Sequence, residues 1–478
     1  MKALFISPPS QCDSNVVRDL VYGCWCKGRR IAGVNFPPLP LALGSAVIKA
    51  AGHQARVLDL QVEKRSFQKV AAQAKSSDLA VVLTSSVSLA GDDAYLTRLK
   101  EANPQLLTLV YGGYPTCDPD AVLEYPGVDI ALRGELEFFL HDLALAIEEG
   151  DWHTLKGISY RGEGQNHHNP DYPRRDDLDS LPIADRDALP GWRHYFNPVA
   201  KNYPYATMMT SRGCPGKCIF CASPAFYGHT YRSQSSARVL EEMEYLAKRG
   251  YREIFFRDEN FTFQRSRVME ICQSLKEWKV NLSWVASARV DQLDRELLQV
   301  MQAAGCHLIR VGVESGSQEL LDRVKKGTTL EQIRRVFAWC RELKLDTHAH
   351  MMAGLPGETR DTLEATRNLI REIEPAIITL GILTPYPGTP LFEALTTQYP
   401  DLQKTCRINL NHLHTQAFYP LTQVSSQELS DFIRKVYREF YFRREYLWGQ
   451  LTRKENWRKL GGLIQAAFSL REFTRGRD

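Results

Sequence analysis

Three cysteines in SRGCPGKCIFCASP, Cys214, Cys218 and Cys221, are spaced C-x3-C-x2-C. Thiolates are soft ligands that select zinc, copper(I) or iron–sulfur clusters. A structural zinc site closes around four protein ligands, and here the fourth would have to be His229 or a distant cysteine. A four-iron cubane held by three cysteines leaves one iron open to another molecule. Iron–sulfur clusters reach potentials down to about −700 mV, low enough to push an electron into a ligand on that iron. The spacing points to such an open cluster, with zinc as the alternative.

Other polar residues stand where they could serve that chemistry. Ser287, Arg289 and Glu314 follow apolar runs and are expected at strand ends. An arginine can clamp a carboxylate through two parallel hydrogen bonds, and a glutamate can accept from hydroxyls. The alternative is that Arg289 and Glu314 pair with each other. Asp258 and Glu259 lie in FFRDENFTF (255–263), where the alternative is a solvated turn. His348 and His350 alternate with Thr347 and Ala349, so both face one side of a strand, either as packing or as cavity lining. Tyr386 reads as core or wall.

The elements that must carry these residues can be read from periodicity. The first third alternates short apolar runs (3–7, 55–60, 79–84, 106–111 and 128–132) with amphipathic stretches such as 39–51 and 92–102. That alternation predicts an α/β domain with a doubly wound parallel sheet over 1–150. Ligands of such sheets bind beyond the carboxyl ends of the strands. Here those ends carry Pro8 and Pro9, Ser85 and Ser86, Gly112 and Gly113, and Gly134 and Glu135. Residues 151–205, with HHNPDYPRRDD, read as a linker. Alternation returns over 206–400 with six candidate strands: 206–211, 253–257, 282–286, 308–313, 347–352 and 377–383. Six such units predict a partial (β/α)6 barrel with its chemistry at the carboxyl ends of the strands, and the cysteine trio directly follows the first strand. Residues 401–478 read as a helical C-terminal region.

Composition bounds the rest. The 478 residues are 44% hydrophobic and 24% charged, with a net charge of +4. This is a globular balance, too mildly basic to argue for nucleic acid. No apolar run reaches about 18 residues, so no membrane span is expected. The eleven cysteines are scattered outside the trio, which argues against a disulfide framework and for a reduced, cytoplasmic setting. Cys24-x-Cys26 reads as a loop, or else as a second metal or redox position. Residues 434–478 hold twelve Lys/Arg against five Asp/Glu, with Tyr437, Tyr441, Tyr446, Trp448 and Trp457 among them. They read either as a helical layer on the barrel or as a basic aromatic face for peripheral membrane contact or an amphiphilic substrate.

With Phe220 before the third cysteine, the trio resembles the radical S-adenosylmethionine (SAM) enzymes. The resemblance spans about 206–400 through FFRDENFTF, ASARVD (286–291), VGVESGS (311–317), MMAGLPGET (351–359) and LTPYPGTP (383–390). It implies a [4Fe–4S] cluster on Cys214, Cys218 and Cys221, and SAM on the open iron. Phe220, Asp258, Glu259, Asn260, Ser287, Arg289, Glu314, Ser315 and Gly354 would then contact it. A doubly wound domain ahead of the barrel resembles the cobalamin-binding subclass, through residues 35–60 and YGGYPT…VDIALRGELE (111–137). That makes the N-terminal domain a cobalamin-binding-like Rossmann domain. The D-x-H-x-x-G signature is missing, so cobalamin is expected without a histidine ligand.

The layout is similar to bacteriochlorophyll cyclase and hopanoid-biosynthesis members. It implies methyl transfer to an unactivated carbon of a small-molecule, lipid-like or natural-product substrate, with a flavodoxin- or ferredoxin-type electron donor. Radical cyclisation or C–C coupling is the first alternative. A methylthiotransferase acting on RNA is the second; it would need a second cluster and a C-terminal β-barrel. A non-enzymatic iron–sulfur redox protein is the third, and would have no use for the six-strand barrel.

Overall fold

The computed structural model describes residues 1–9, 34–278, 281–400, 421–457 and 459–476. Cys12, Cys24 and Cys26, and residues 401–420 of the C-terminal region, lie outside the described residues.

The five apolar runs of the first third form parallel strands β1 (Lys2–Ser7), β2 (Gln54–Asp59), β3 (Leu79–Leu83), β4 (Leu107–Tyr111) and β5 (Ile130–Leu132) in the order β2-β1-β3-β4-β5. Apolar residues point to both faces because helices cover both. Leu41, Ile48, Phe139 and Leu143 pack on one side, and Val70, Leu89, Leu96 and Leu99 on the other. The chain order reverses between β1 and β3. A crevice therefore opens at their carboxyl ends, the usual ligand position in such sheets. Two strands in the expected linker, β6 (Ile158–Arg161) and β7 (Asn166–His168), extend this sheet antiparallel from β5. The sheet therefore runs past residue 150. The polar NHH of β7 lies on the edge and carries no apolar alternation.

The six strands of the barrel are β8 (Tyr205–Met208), β9 (Glu253–Phe256), β10 (Ser283–Ala288), β11 (Cys306–Glu314), β12 (Asp346–Ala353) and β13 (Ile377–Ile382). They are all parallel, in chain order, and the sheet is open between β13 and β8. Ile309, Val311, Val313, Ala349, Met351 and Leu380 face the surrounding helices in one large core. Their alternating neighbours Arg310, Gly312, Glu314, His348 and His350 face the interior.

The described C-terminal residues are helical rather than a β-barrel. Helix α1 (Ser426–Tyr441) opens with a capping box, in which Ser425 and Glu428 satisfy each other's backbone N–H. It lies along the open edge of β13. The Tyr441 hydroxyl donates to Ile378 O (2.7 Å) and accepts from Ile378 N (3.2 Å). Tyr437 does the same with Leu380 (3.4 and 3.0 Å). The match is geometric. Four helical residues advance about 6 Å and two strand residues about 6.6 Å, so an i, i+4 tyrosine pair meets an i, i+2 backbone pair. Helices α2 (Arg444–Thr452), α3 (Lys454–Trp457) and α4 (Leu460–Thr474) follow. Among the described residues no helix is long and apolar enough to cross a membrane.

Removing either hydroxyl leaves a backbone N–H and C=O of β13 without that partner. Tyr437→Phe and Tyr441→Phe are each expected to lower unfolding free energy by about 1–3 kcal/mol, measured by urea denaturation. An unchanged midpoint in the double variant would show that the edge is satisfied in another way.

Candidate active site

The trio occupies a loop pinched at its base. Ser211–Arg212 pairs antiparallel with Arg232–Ser233, so residues 213–231 project from the end of β8. Cys214, Cys218 and Cys221 are free and half-buried. A Cβ on Gly216 would lie 3.3 Å from Cys214 Sγ, 3.9 Å from Cys218 Sγ and 3.3 Å from Arg289 Nη1. The bare backbone of Gly216 thus leaves a cradle between two sulfurs and a guanidinium. Its N–H donates to Cys214 Sγ at 3.4 Å, and Arg289 Nη1 donates to Cys218 Sγ at 3.8 Å. Burial pushes the Cys214 and Cys221 thiols up, Cys221 to about 12; the Gly216 N–H and then Arg289 oppose this at Cys214. Thiols held that high become thiolates when a metal supplies positive charge. Among the described residues no three His, Cys, Asp or Glu side chains converge tightly enough for a single ion.

Phe220 and Ile219 pack with Leu320, Val324, Met352 and Leu355 at the strand ends. Ile219 also donates to Val324 O and accepts from Leu391 N, which fixes the loop to the far side of the barrel.

The strand-end residues divide into those at the cradle and those that support it. Arg289 is held by Asp291 (3.0 and 3.1 Å) and donates to Lys326 O (2.7 Å). Glu314 pairs with Lys326 (2.7 Å), so Arg289 and Glu314 are not each other's partners. Glu314 has φ +66°, a left-handed conformation costly for a glutamate. Glu259 is half-buried, and its charge acts on Cys214 and Cys221.

Asp258 is a correction. It is fully buried, and its oxygens accept from Thr210 N (2.8 Å), Thr210 Oγ1 (2.7 Å) and Ser211 Oγ (2.5 Å). It is not a solvated turn, and its side-chain oxygens are taken up within the protein, where they fix the start of the cysteine loop. Asn260 is likewise buried, donating to Gln292 Oε1 (2.7 Å). Ser287 Oγ accepts from Arg310 Nη2 (2.8 Å). Ser315 Oγ accepts from Ser317 N (3.1 Å) and the Gly354 N–H is taken by Glu358 (3.0 Å), so both residues shape strand ends.

Sequence reasoning missed Arg310. It is buried inside the barrel and also donates to Phe256 O (2.6 Å). The signal was one arginine in the apolar strand HLIRVGV. Beside it His348 and His350 stack with ring centroids 4.1 Å apart, and His348 Nε2 meets Thr379 Oγ1 at 2.7 Å. Burial holds both imidazoles well below their ordinary range, His350 at about 3. His350 and Arg310 add to this at His348, and Arg310 and Lys326 at His350. Both are neutral at pH 7 and line the barrel interior.

The N-terminal sheet presents its carboxyl edge to this mouth. Ser7, Asp59 and Leu83 line a cleft at the reversal point, closed by Asn35–Leu41. Pro8 and Pro9 continue from β1 beside it. Ser85 donates to Ser88 (3.1 Å) with Ser86 next to it, and Thr84 donates to Asp92 (2.8 Å). Gly112 has φ +132°, and a Cβ there would stand 2.6 Å from Thr84 O, so only glycine fits. Gly113 starts the short helix Gly113–Cys117, and Gly134 N–H donates to its Thr116 (3.0 Å). That helix packs on Ser223–Tyr227, just after the trio, and Tyr114 joins the apolar group of Ile219 and Phe220. Phe36 reaches into the barrel. It lies 5.9 Å from Phe255, with the Arg257 guanidinium 4.5 Å from its ring.

Glu135 is a second correction. Its carboxylate takes Arg232 (3.0 and 2.5 Å) and Arg212 (3.3 Å), and Arg212 also meets Glu137 (3.2 Å). It joins the domains instead of touching a cofactor. Of the N-terminal histidines, His53 lies by Met1 and Glu148 at the opposite end of the sheet, and His141 is exposed beside Asp142. Neither is at the cofactor edge.

Comparison with known proteins agrees with this layout. Residues 208–370 match the model of the radical SAM superfamily and residues 30–143 that of the B12-binding domain. The chain is 29% identical to an uncharacterized methyltransferase of Pyrococcus horikoshii, over 94% of each chain. It is 28% identical to the anaerobic magnesium-protoporphyrin IX monomethyl ester cyclase of Rubrivivax gelatinosus, over 92% of this chain and 80% of that one. Its fold matches the radical SAM methyltransferase TsrM of Kitasatospora setae with a TM-score of 0.67 at 20% identity, over 83% of this chain and 76% of that one.

Burial raises the Glu135 carboxyl, but Arg212 and Arg232 outweigh it and hold it below its ordinary value. Its contribution is therefore present above the unfolded carboxyl pKa of about 4.3 and is lost as pH falls through the lower folded value. Glu135→Gln leaves buried arginines short of a partner and is expected to cost about 3 kcal/mol near neutral pH. Denaturation of wild type and variant at pH 7 and pH 3 tests this: the difference should shrink at the lower pH, and a constant difference would exclude the charge as its source.

Proposed function

This chain belongs to the radical SAM enzymes that carry a B12-binding domain, and we propose that it transfers a methyl group from cobalamin to an unactivated carbon of a hydrophobic or natural-product substrate. The observation that carries the reading is that the helix Gly113–Cys117 of the N-terminal sheet edge packs on Ser223–Tyr227 just after the trio, with Tyr114 on the same apolar cluster as Ile219 and Phe220. It brings the edge that would hold cobalamin against the loop that would hold the cluster. A methyltransferase relative that aligns from end to end supports it.

When bound, the cluster with SAM supplies a 5′-deoxyadenosyl radical and cobalamin supplies the methyl group. Cys214, Cys218 and Cys221 would hold the cluster, and with three protein ligands it would keep a position open for SAM. Arg289 places positive charge beside Cys218 and faces the cradle, where it offsets the negative charge of the thiolates. Glu314, paired with Lys326, would accept from the ribose hydroxyls. Phe220, packed at the strand ends one residue before Cys221, would flank the cluster. Ser7, the Thr84–Ser86 turn and the Gly112–Gly113 backbone border the cobalamin cleft. With His53 at the far end of the sheet and His141 on the surface, the residues that would hold cobalamin at this edge include neither of these histidines. His348 and His350, neutral, and Arg310 line the cavity for the substrate. The electron comes from a flavodoxin- or ferredoxin-type donor.

Radical ring closure without methyl transfer is the second reading, favoured by the cyclase relative. The cobalt-to-iron ratio of protein purified anaerobically, with cobalamin available, comes first. Methyl transfer expects about one cobalt per four irons, and iron without cobalt would overturn it. Cys214→Ala is expected to lose the cluster absorbance and 5′-deoxyadenosine formation together, and full turnover in that variant would sink the scheme.

A further inference from the structure

The outer face of the C-terminal helices is apolar where a surface helix should be polar. On α2, Leu447, Trp448 and Leu451 share one face, with Trp448 70% and Leu451 59% exposed. Trp457 of α3 is 68% exposed. On α4, Leu460, Ile464 and Phe468 recur every four residues along one stripe, and Phe468 is 61% exposed. The inner face of α4 is apolar as well. Gly462 closes on Phe196, and Leu470 and Phe473 pack on the barrel core. From Leu460 to Leu470 there is no charge at all. A helix apolar on both faces calls for cover on both, and the barrel supplies one side only.

Charge indicates what lies on the other side. Residues 434–478 contain twelve Lys/Arg and five Asp/Glu; on the outer helices the exposed Arg444 precedes Leu447 and the exposed Arg471 and Arg475 follow Phe468, with the exposed Glu445 and Glu472 beside them, which leaves an excess of cations. A second copy of the same face would bring like charges together, whereas an anionic lipid surface complements them. Tryptophans and cations around an apolar stripe form the pattern of a helix lying in the headgroup region. The platform is rigidly attached. Arg453 pairs with Asp346 at the start of β12 (3.2 Å), and Lys459 donates to Pro198 O and Ala200 O (2.6 and 2.5 Å) ahead of β8. These contacts place it at the strand-start end of the barrel, away from the cysteine loop.

We propose that the face formed by Trp448, Leu451, Trp457, Ile464 and Phe468 docks on an anionic lipid bilayer, with the mouth of the barrel turned away from it. The inference does not rest on the methyl-transfer reading, and its failure would leave that reading untouched.

The test is cosedimentation of the full chain with phosphatidylglycerol/phosphatidylcholine vesicles and with pure phosphatidylcholine vesicles. Binding is expected to the anionic vesicles, with a blue shift of tryptophan emission and a loss of affinity at high salt. Trp448→Ala/Trp457→Ala/Phe468→Ser should weaken it at least about tenfold, and Arg444→Glu/Arg471→Glu about fivefold per arginine. 5′-Deoxyadenosine formation should be unchanged in both variants. Three outcomes would overturn the proposal: no binding to either vesicle, binding that the triple variant leaves intact, or a concentration-dependent dimer that the triple variant abolishes.

Discussion

Arg212 stands two residues before Cys214, and Glu135 one residue after Gly134 at the edge of the first sheet. The buried group they form with Arg232 and Glu137 is the constraint on which the rest of the site depends. Placing charges inside protein costs roughly several kcal/mol per ion, and the attraction offsets this only in good geometry. Here Arg232 meets both oxygens of Glu135, and Arg212 bridges two carboxylates. Such a group adds little net stability compared with an apolar contact, but it tolerates few alternative arrangements. It therefore sets how far the sheet edge lies from the cysteine loop. That distance decides whether groups held on the two domains can reach one substrate.

A second set of buried charges organises the barrel interior. Arg310 spans β9 and β10 through Phe256 O and Ser287 Oγ, while Lys326 holds Glu314 in a left-handed conformation. The cations are fixed by backbone and side-chain acceptors, and the neighbouring imidazoles stay neutral because burial and those cations disfavour a further positive charge. The barrel interior thus has a cationic side at Arg310 and Lys326 and an apolar side at Phe36 and Phe255.

Short apolar runs revealed the strands because both parallel sheets are buried: every predicted strand of the two sheets is present within a few residues. They could not reveal β7, whose NHH lies on an edge with no face to bury. The cysteine trio was legible because its ligands are local in sequence. Asp258 and Glu135 were misread for the opposite reason. A carboxylate at a strand end looks the same whether it faces a ligand or a buried partner, and its partners lie 47 and 97 residues away. Arg310 was invisible as a site residue because one charge in an apolar strand has no spacing to interpret. The Glu314–Lys326 pair was hidden because Arg289 offered an equally plausible partner.

An open sheet of six parallel strands leaves two edges, and an unprotected edge invites pairing with another chain. Both edges here are closed by side chains rather than by further strands. On β13, Tyr437 and Tyr441 each act as donor and acceptor for a backbone pair. On β8, Arg186 donates to Thr207 O (2.7 Å) while bound to Glu242 (2.8 Å). Two more strands would have closed the barrel and filled its interior with packed side chains. Capping the edges instead keeps the interior wide and leaves one side open. The N-terminal sheet inserts Phe36 into that opening and places its carboxyl edge across the mouth. The half-barrel is therefore what allows the N-terminal sheet edge to meet the open side of the second sheet, and the tyrosine and arginine caps are what allow the half-barrel to exist without a further strand.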